Sequence, residues 1–188
     1  MPLIASLDQI LEWHRRNNTP AARLLQPGLS EDEIMSRMQA LPFHASRELV
    51  ELYRWHNGTA IGEEGEDTSL FEIHRFLPLE EAVSSFRESP PEAQALQIFR
   101  DEALDGYAVS GAAQMAERSA VVLMTEGEVQ KVFSSLTKMM QTVAAAFEEG
   151  AMGWEDEEME TDFFAWGGLA HRIDPHIEYW KDYLAGEA

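Results

Sequence analysis

The spacing of hydrophobic positions changes several times along the chain, and each change marks an element. Leu7, Ile10, Leu11 and His14 fall at helical spacing, predicting an amphipathic helix over residues 6–16 that Pro20 bounds. Gln26-Pro27-Gly28-Leu29 reads as a turn. Ser30 with Glu33 three residues on is a capping-box pattern, in which each side chain satisfies one orphan backbone N–H of the helix start. Ile34, Met38 and Leu41, with Met35 beside them, give that helix its buried face, and Pro42 helps end it. A third helix is expected over about residues 45–56, with Leu49, Val50, Leu52, Tyr53 and Trp55 inward and Asn57-Gly58 as its left-handed cap.

The period then shortens to two. Phe71-Glu72-Ile73-His74-Arg75-Phe76 alternates and predicts a strand with one buried face. Leu77-Pro78-Leu79-Glu80-Glu81-Ala82 leads into a short helix reaching about Ser89, which Pro90-Pro91 stops. Residues 96–99 and 107–109 are short strands, and residues 121–124 and 129–133 form a hairpin around Thr125-Glu126-Gly127-Glu128. Helical spacing returns at Leu136, Met139, Met140, Val143, Ala144 and Phe147, with Ser134 or Ser135 as cap and Gly150 as end. Residues 153–162 are acidic and poorly periodic. A last helix starts at Asp174-Pro175, with Ile177, Trp180 and Leu184 inward and Tyr183 beside them. The order implies one α+β domain over residues 1–188. N-terminal helices pack on a mainly antiparallel sheet of about four to six strands, and residues 150–188 form a C-terminal extension.

Charge changes the picture more than composition does. The 188 residues are 45% hydrophobic, which suits a globular core, but 34 Asp and Glu stand against 14 Lys and Arg, a formal net charge of −20. Binding to nucleic-acid phosphates runs on Lys and Arg, and anionic membranes attract the same residues, so neither is an expected partner. A protein with a basic surface is. The absence of cysteine excludes disulfides, thiolate metal sites and a cysteine nucleophile. Early Asp8 and Glu12 do not fit a signal peptide, and no apolar run is long enough to span a bilayer, so a cytoplasmic protein is expected.

Specific chemistry is sparse. Phosphate-cradling glycine loops and the G-x-S-x-G elbow are absent. His14, His44, His56 and His74 are scattered, and His74 reads as a hydrogen-bonded, half-buried strand residue. His171, Asp174 and His176 lie close in sequence, so a metal-binding protein or hydrolase is an alternative. Their spacing matches no established ligand motif, and solvated histidines beside a helix cap explain them as well. No enzyme and no cofactor are therefore expected. Met35, Met38, Met139 and Met140 fall at core positions. Phe163-Phe164-Ala165-Trp166 is either core or a partner anchor, and core packing is the expectation.

The acids are unevenly placed. Glu148, Glu149, Glu155, Asp156, Glu157, Glu158, Glu160 and Asp162 lie between Met139 and Ala170 without a Lys or Arg. Glu63, Glu64, Glu66, Asp67 and Glu72 do the same between Gly62 and His74. Clustering of like charge costs self-repulsion and favours a ligand role over mere solubility. Glu63, Glu64, Glu66 and Asp67, with Glu155, Asp156, Glu157 and Glu158, are the expected contacts for a basic partner.

One stretch carries a resemblance. Leu25-Gln26-Pro27-Gly28-Leu29 through Ile34 leads to Leu41-Pro42, to Glu48-Leu49, and to Leu52-Tyr53-Arg54-Trp55-His56-Asn57-Gly58. Phe76-Leu77-Pro78-Leu79-Glu80-Glu81 follows. This order resembles the SUKH superfamily, which includes fungal Smi/Knr-type cell-wall regulators and many bacterial proteins. The match is good over residues 24–82. It extends to Phe99–Val109, where Asp105-Gly106-Tyr107 reverses the family's Gly-Asp order, and to the helix after Ser134-Ser135-Leu136. It covers about two-thirds of the chain and leaves out most of residues 150–188. Pro27, Gly28, Tyr53, Trp55, Asn57, Gly58, Leu77 and Pro78 resemble fold markers: Trp55 in the core, Asn57-Gly58 capping a helix, Leu77-Pro78 turning the chain. The resemblance implies a non-enzymatic protein-binding module. Many bacterial members are immunity proteins that neutralise toxins, often nucleases with basic clefts. A regulatory or scaffold protein of the same fold is the alternative.

Overall fold

A computed structural model describes residues 1–63, 66–88, 94–125 and 128–186. Helix α1 (Leu3–Arg16) and the short α2 (Pro20–Leu24) lead into strand β1 (Leu25–Pro27). Helices α3 (Glu31–Met38) and α4 (Arg47–Trp55) follow, then β2 (His56–Thr59), which pairs antiparallel with β1. The main sheet comprises β3 (Arg75–Phe76), β4 (Ala95–Arg100), β5 (Gly106–Ser110), β6 (Val121–Thr125) and β7 (Glu128–Phe133). These pair antiparallel in chain order, a plain meander, with α5 (Leu79–Glu88) between β3 and β4. Helix α6 (Leu136–Glu149), hairpin β8 (Met152–Glu155) and β9 (Glu158–Thr161), and helices α7 (Phe163–Ile173) and α8 (Glu178–Ala185) complete the chain. One apolar core runs from Leu3 to Trp180, so the fold is α+β in a single domain.

The helix-period residues do what their spacing predicts. Leu7, Ile10, Leu11 and His14 are buried on α1, as are Met139, Met140, Val143, Ala144 and Phe147 on α6. Ser30 and Glu33 form the capping box, Ser135 caps α6, and Gly150 ends it in the left-handed conformation. Pro20 opens α2 rather than closing α1, because a missing N–H costs nothing at the first helical position.

Several expectations need correction. Gln26-Pro27 lies in β1 instead of a turn. Gly28 is there for close approach: a Cβ would collide with the Arg54 carbonyl, and Leu29 N–H donates to Tyr53 O at 2.9 Å. Asn57-Gly58 does not cap α4, whose end runs straight into β2. Asn57 caps a different helix, since its Oδ1 accepts from Leu79 N–H, the first of α5, at 2.9 Å. Gly58, at φ +76, lets Leu77-Pro78 lie against the backbone where a Cβ would clash. Tyr53 is buried as expected and donates its hydroxyl to Leu77 O at 3.1 Å. Trp55 is only partly buried at the core edge, with Nε1 donating to Asp8 at 3.0 Å.

The alternating run at 71–76 is mostly a turn. His74 N–H donates to Phe71 O at 2.9 Å, Glu72 sits at φ +47, and only Arg75–Phe76 joins the sheet. The acidic stretch at 153–162 is the β8–β9 hairpin, its two-residue loop Asp156-Glu157 at φ +51 and +68. Asp174 does not start the last helix. It ends α7, a helix not expected from sequence, and its Oδ2 accepts from Ser134 N–H at 2.6 Å. Trp166 is buried against Phe133 and Trp180, whereas Phe163 and Phe164 are 52% and 71% exposed, so the aromatic run is core only in part. Ser89, Pro90, Pro91, Glu126 and Gly127 lie outside the described residues.

Candidate functional site

A groove of about 820 Å³ is walled by residues 61–63 and 66–69, by Ile73 and Arg75 at the entry to β3, by residues 100–104 at the β4–β5 turn, and by Glu158-Met159 of β9. The two acidic segments singled out in the sequence meet here. Asp67 Oδ2 accepts from Met159 N–H at 3.0 Å across 92 residues of chain, and its Oδ1 accepts from Ser69 N–H at 2.8 Å. Asp67 is thus a fastener of the wall as well as a charge. Glu63, Glu66, Asp67 and Glu158 line the groove, while Glu155, Asp156 and Glu157 are exposed around the hairpin tip and do not. Glu64 lies outside the described residues.

The acids are less uncompensated than the sequence implies. Arg23 reaches across to Glu66, and Arg172 to Glu149, from segments distant in the chain. Glu63, Glu102 and Glu158 remain exposed in the groove wall.

Sequence reasoning missed the rest of the lining. Asp101 and Glu102 add two more acids. Ile61, Ile73 and Leu104 are 85%, 57% and 66% exposed. These three aliphatic side chains gather around one concavity rather than standing singly over the surface. One of them sits at a backbone outlier and another directly follows one. Leu104 itself has φ +73, held by its N–H to Asp101 O at 3.3 Å and by Gln97 Nε2 donating to its carbonyl at 2.9 Å. Ile73 follows Glu72 in the tight turn. A β-unbranched or branched side chain at positive φ costs on the order of 1 kcal/mol, a cost that clusters at binding sites.

The groove also contains two cations, Arg75 and Arg100, which face one another across the β3–β4 ladder. Like charges directly opposite repel. Glu81 of α5 relieves this by holding Arg75 Nη2 at 2.6 Å and Arg100 Nη2 at 2.5 Å on the same Oε1. Arg75 Nη1 donates to Thr59 O at 3.2 Å and Arg100 Nη1 to Ser85 Oγ at 3.0 Å.

Behind the groove, the 71–74 turn is anchored by buried polar groups. Tyr107 donates its hydroxyl to Glu72 Oε2 at 2.9 Å, and burial, reinforced by that carboxylate, pushes the phenol up. His74 is buried, as its neighbours predicted, but more deeply. Its Nδ1 lies 3.1 Å from Glu72 Oε2 without hydrogen-bond alignment. His14 is buried on α1, where its Nε2 donates to Leu70 O at 2.8 Å, so that in the neutral ring Nδ1 accepts from the Thr19 hydroxyl at 2.6 Å. Loss of hydration lowers its pKa to about 4.

His171, Asp174 and His176 do not converge. Among the described residues no group of three His, Asp or Glu is placed to hold a metal ion, and the Asp174 carboxylate is engaged by Ser134. Among the same residues no helix is long and apolar enough to cross a membrane. In comparison with known proteins, no family model matches the chain and no curated protein matches it.

Proposed function

We propose that this chain is a non-enzymatic protein-binding module of the SUKH type, acting in the cytoplasm as an immunity protein that covers the basic surface of a toxin, a nuclease being the plainest case. The observation that carries this reading is the convergence of the two acidic segments on one groove edged with exposed aliphatic side chains. Acids around a concave apolar patch suit a cationic partner that also brings apolar contact. The resemblance over residues 24–82 supports the same reading independently of charge. A regulatory scaffold would use the same groove on a different partner.

The experiment is to express the chain with the product of the adjacent gene. The expected result is a complex that protects cells from that product. In the purified complex, Glu63→Gln, Glu102→Gln and Glu158→Gln together should weaken binding at least tenfold at low salt. A neighbouring toxin that stays active beside this chain sinks the immunity reading. Binding that is indifferent to the triple variant moves the interface elsewhere.

A further inference from the structure

The two arginines of the groove are out of keeping with an acidic docking surface. In a chain with 14 bases, two of them are spent opposite each other inside a groove whose expected partner is positive. A single carboxylate oxygen, Glu81 Oε1, serves both, so the local set of Arg75, Arg100 and Glu81 carries one positive charge too many. Asp101 also lines the groove, but its Oδ1 accepts from Asp105 N–H at 2.9 Å, and among the described residues it forms no ion pair with either guanidinium, so Glu81 is the carboxylate in contact with them. Guanidinium groups present five donors each in a fixed fork, and among the described residues the bonds to Glu81, Thr59 and Ser85 use only part of them. Both side chains are close to 80% buried yet contribute to the groove lining. They are therefore pre-positioned, with little rotamer freedom left to lose on binding.

Resting on the binding role proposed above, we propose that Arg75 and Arg100 form a carboxylate-accepting subsite, so that the partner segment entering the groove carries one Asp or Glu side chain flanked by Lys or Arg and next to an aliphatic residue. The partner's bases meet Glu63, Glu102 and Glu158 at the wall, its aliphatic side chain packs against Ile73 and Leu104, and its carboxylate closes the deficit at the arginines. A phosphate group is the poorer fit. It brings nearly two negative charges past a wall of carboxylates, whereas a single carboxylate flanked by cations matches both signs. Such a sign pattern also gives register: a purely cationic segment could slide along the acids, and one central acid fixes its position.

The test is selection of a random peptide display library on the purified full chain, with eluted sequences counted. The expected enrichment is for Lys or Arg flanking a single Asp or Glu beside Leu, Ile or Val, and the acid should be favoured about tenfold over its frequency in the starting library. On Arg75→Lys/Arg100→Lys, which keeps the charge facing Glu81 but removes the fork, the acid preference should fall severalfold while the flanking bases persist. Arg75→Gln/Arg100→Gln should abolish it, and circular dichroism checks that each variant is folded. If the glutamine pair does not fold, the lysine pair alone decides. Enrichment of bases without any acid overturns the subsite and leaves the binding groove standing. Enrichment unaffected by Glu63→Gln/Glu102→Gln/Glu158→Gln overturns both.

Discussion

At the scale of single residues, the groove depends on side chains that hold backbone from a distance. Asn57 is the clearest. Its Oδ1 accepts the first N–H of α5 from 22 residues away, and its Nδ2 donates to Glu80 Oε2 at 3.3 Å. Helix α5 in turn carries Glu81, which bridges the two arginines. Asn57→Ala should therefore cost ~1–2 kcal/mol, the usual worth of a lost N-terminal cap, and lower the melting temperature by about 3–6 °C. Asn57→Asp keeps the accepting oxygen and should recover part of the loss; thermal denaturation of the three proteins decides. His14 makes a second prediction. Its folded pKa of about 4 lies below the unfolded value of 6.5, so between those values the unfolded chain binds more protons. Stability is then full above pH 6.5 and falls by ~3 kcal/mol as pH drops to about 4. Urea titrations at pH 7, 6 and 5 should show that slope. His14→Gln should be less stable at neutral pH and flatter across the same window, and an unchanged slope would mean another group is titrating.

At the scale of elements, legibility followed the range of the interaction. The α1, α3 and α6 faces could be read because their period is local, and so could the capping box of Ser30 and Glu33. The meander β4 to β7 could be read because each strand pairs with its chain neighbour. What failed was non-local. Asn57-Gly58 has the chemistry of a helix cap and does cap a helix, but one that starts at Leu79. Nothing in the spacing of Arg75 and Arg100 says that they stand opposite each other. The 71–76 alternation is real, yet Glu72 at φ +47 breaks it after Phe71. Helix α7 was hidden by Gly167-Gly168, which lower helix propensity, although Asp162 caps it and Trp166, Leu169 and Ala170 give it a buried face. The small Gly167 leaves room for the Tyr183 ring of α8. The β8–β9 hairpin was masked by its acids, which occupy outward positions while Met152 and Met159 point inward. Its loop offers a stability prediction. Asp156 and Glu157 both adopt positive φ, and an Asn-Gly pair meets that demand with less strain. Asp156→Asn/Glu157→Gly should raise stability by ~1 kcal/mol. Because neither residue lines the groove, partner affinity should change little at physiological salt. Calorimetric melting and a binding titration on the same protein separate the two effects.

At the scale of the whole molecule, a net charge of −20 acts beyond the groove. On the proposed reading, its long-range part steers a basic partner and is screened within roughly 8 Å at physiological ionic strength. Its short-range part is the contact itself. The two should separate kinetically. Rising salt should lower the association rate steeply and change dissociation little, since steering acts before contact. Glu63→Gln/Glu102→Gln/Glu158→Gln should reduce both the association rate and its salt dependence. Leu104→Gly should behave in the opposite manner. Glycine removes the strain at φ +73, so the free protein should be unchanged or more stable by ~0.5–1 kcal/mol. It also removes an exposed aliphatic contact, so the complex should dissociate severalfold faster at an unchanged association rate. Surface plasmon resonance against the partner across 50–500 mM salt measures both rates. If Leu104→Gly leaves dissociation untouched, the strained turn at 101–104 is not part of the interface.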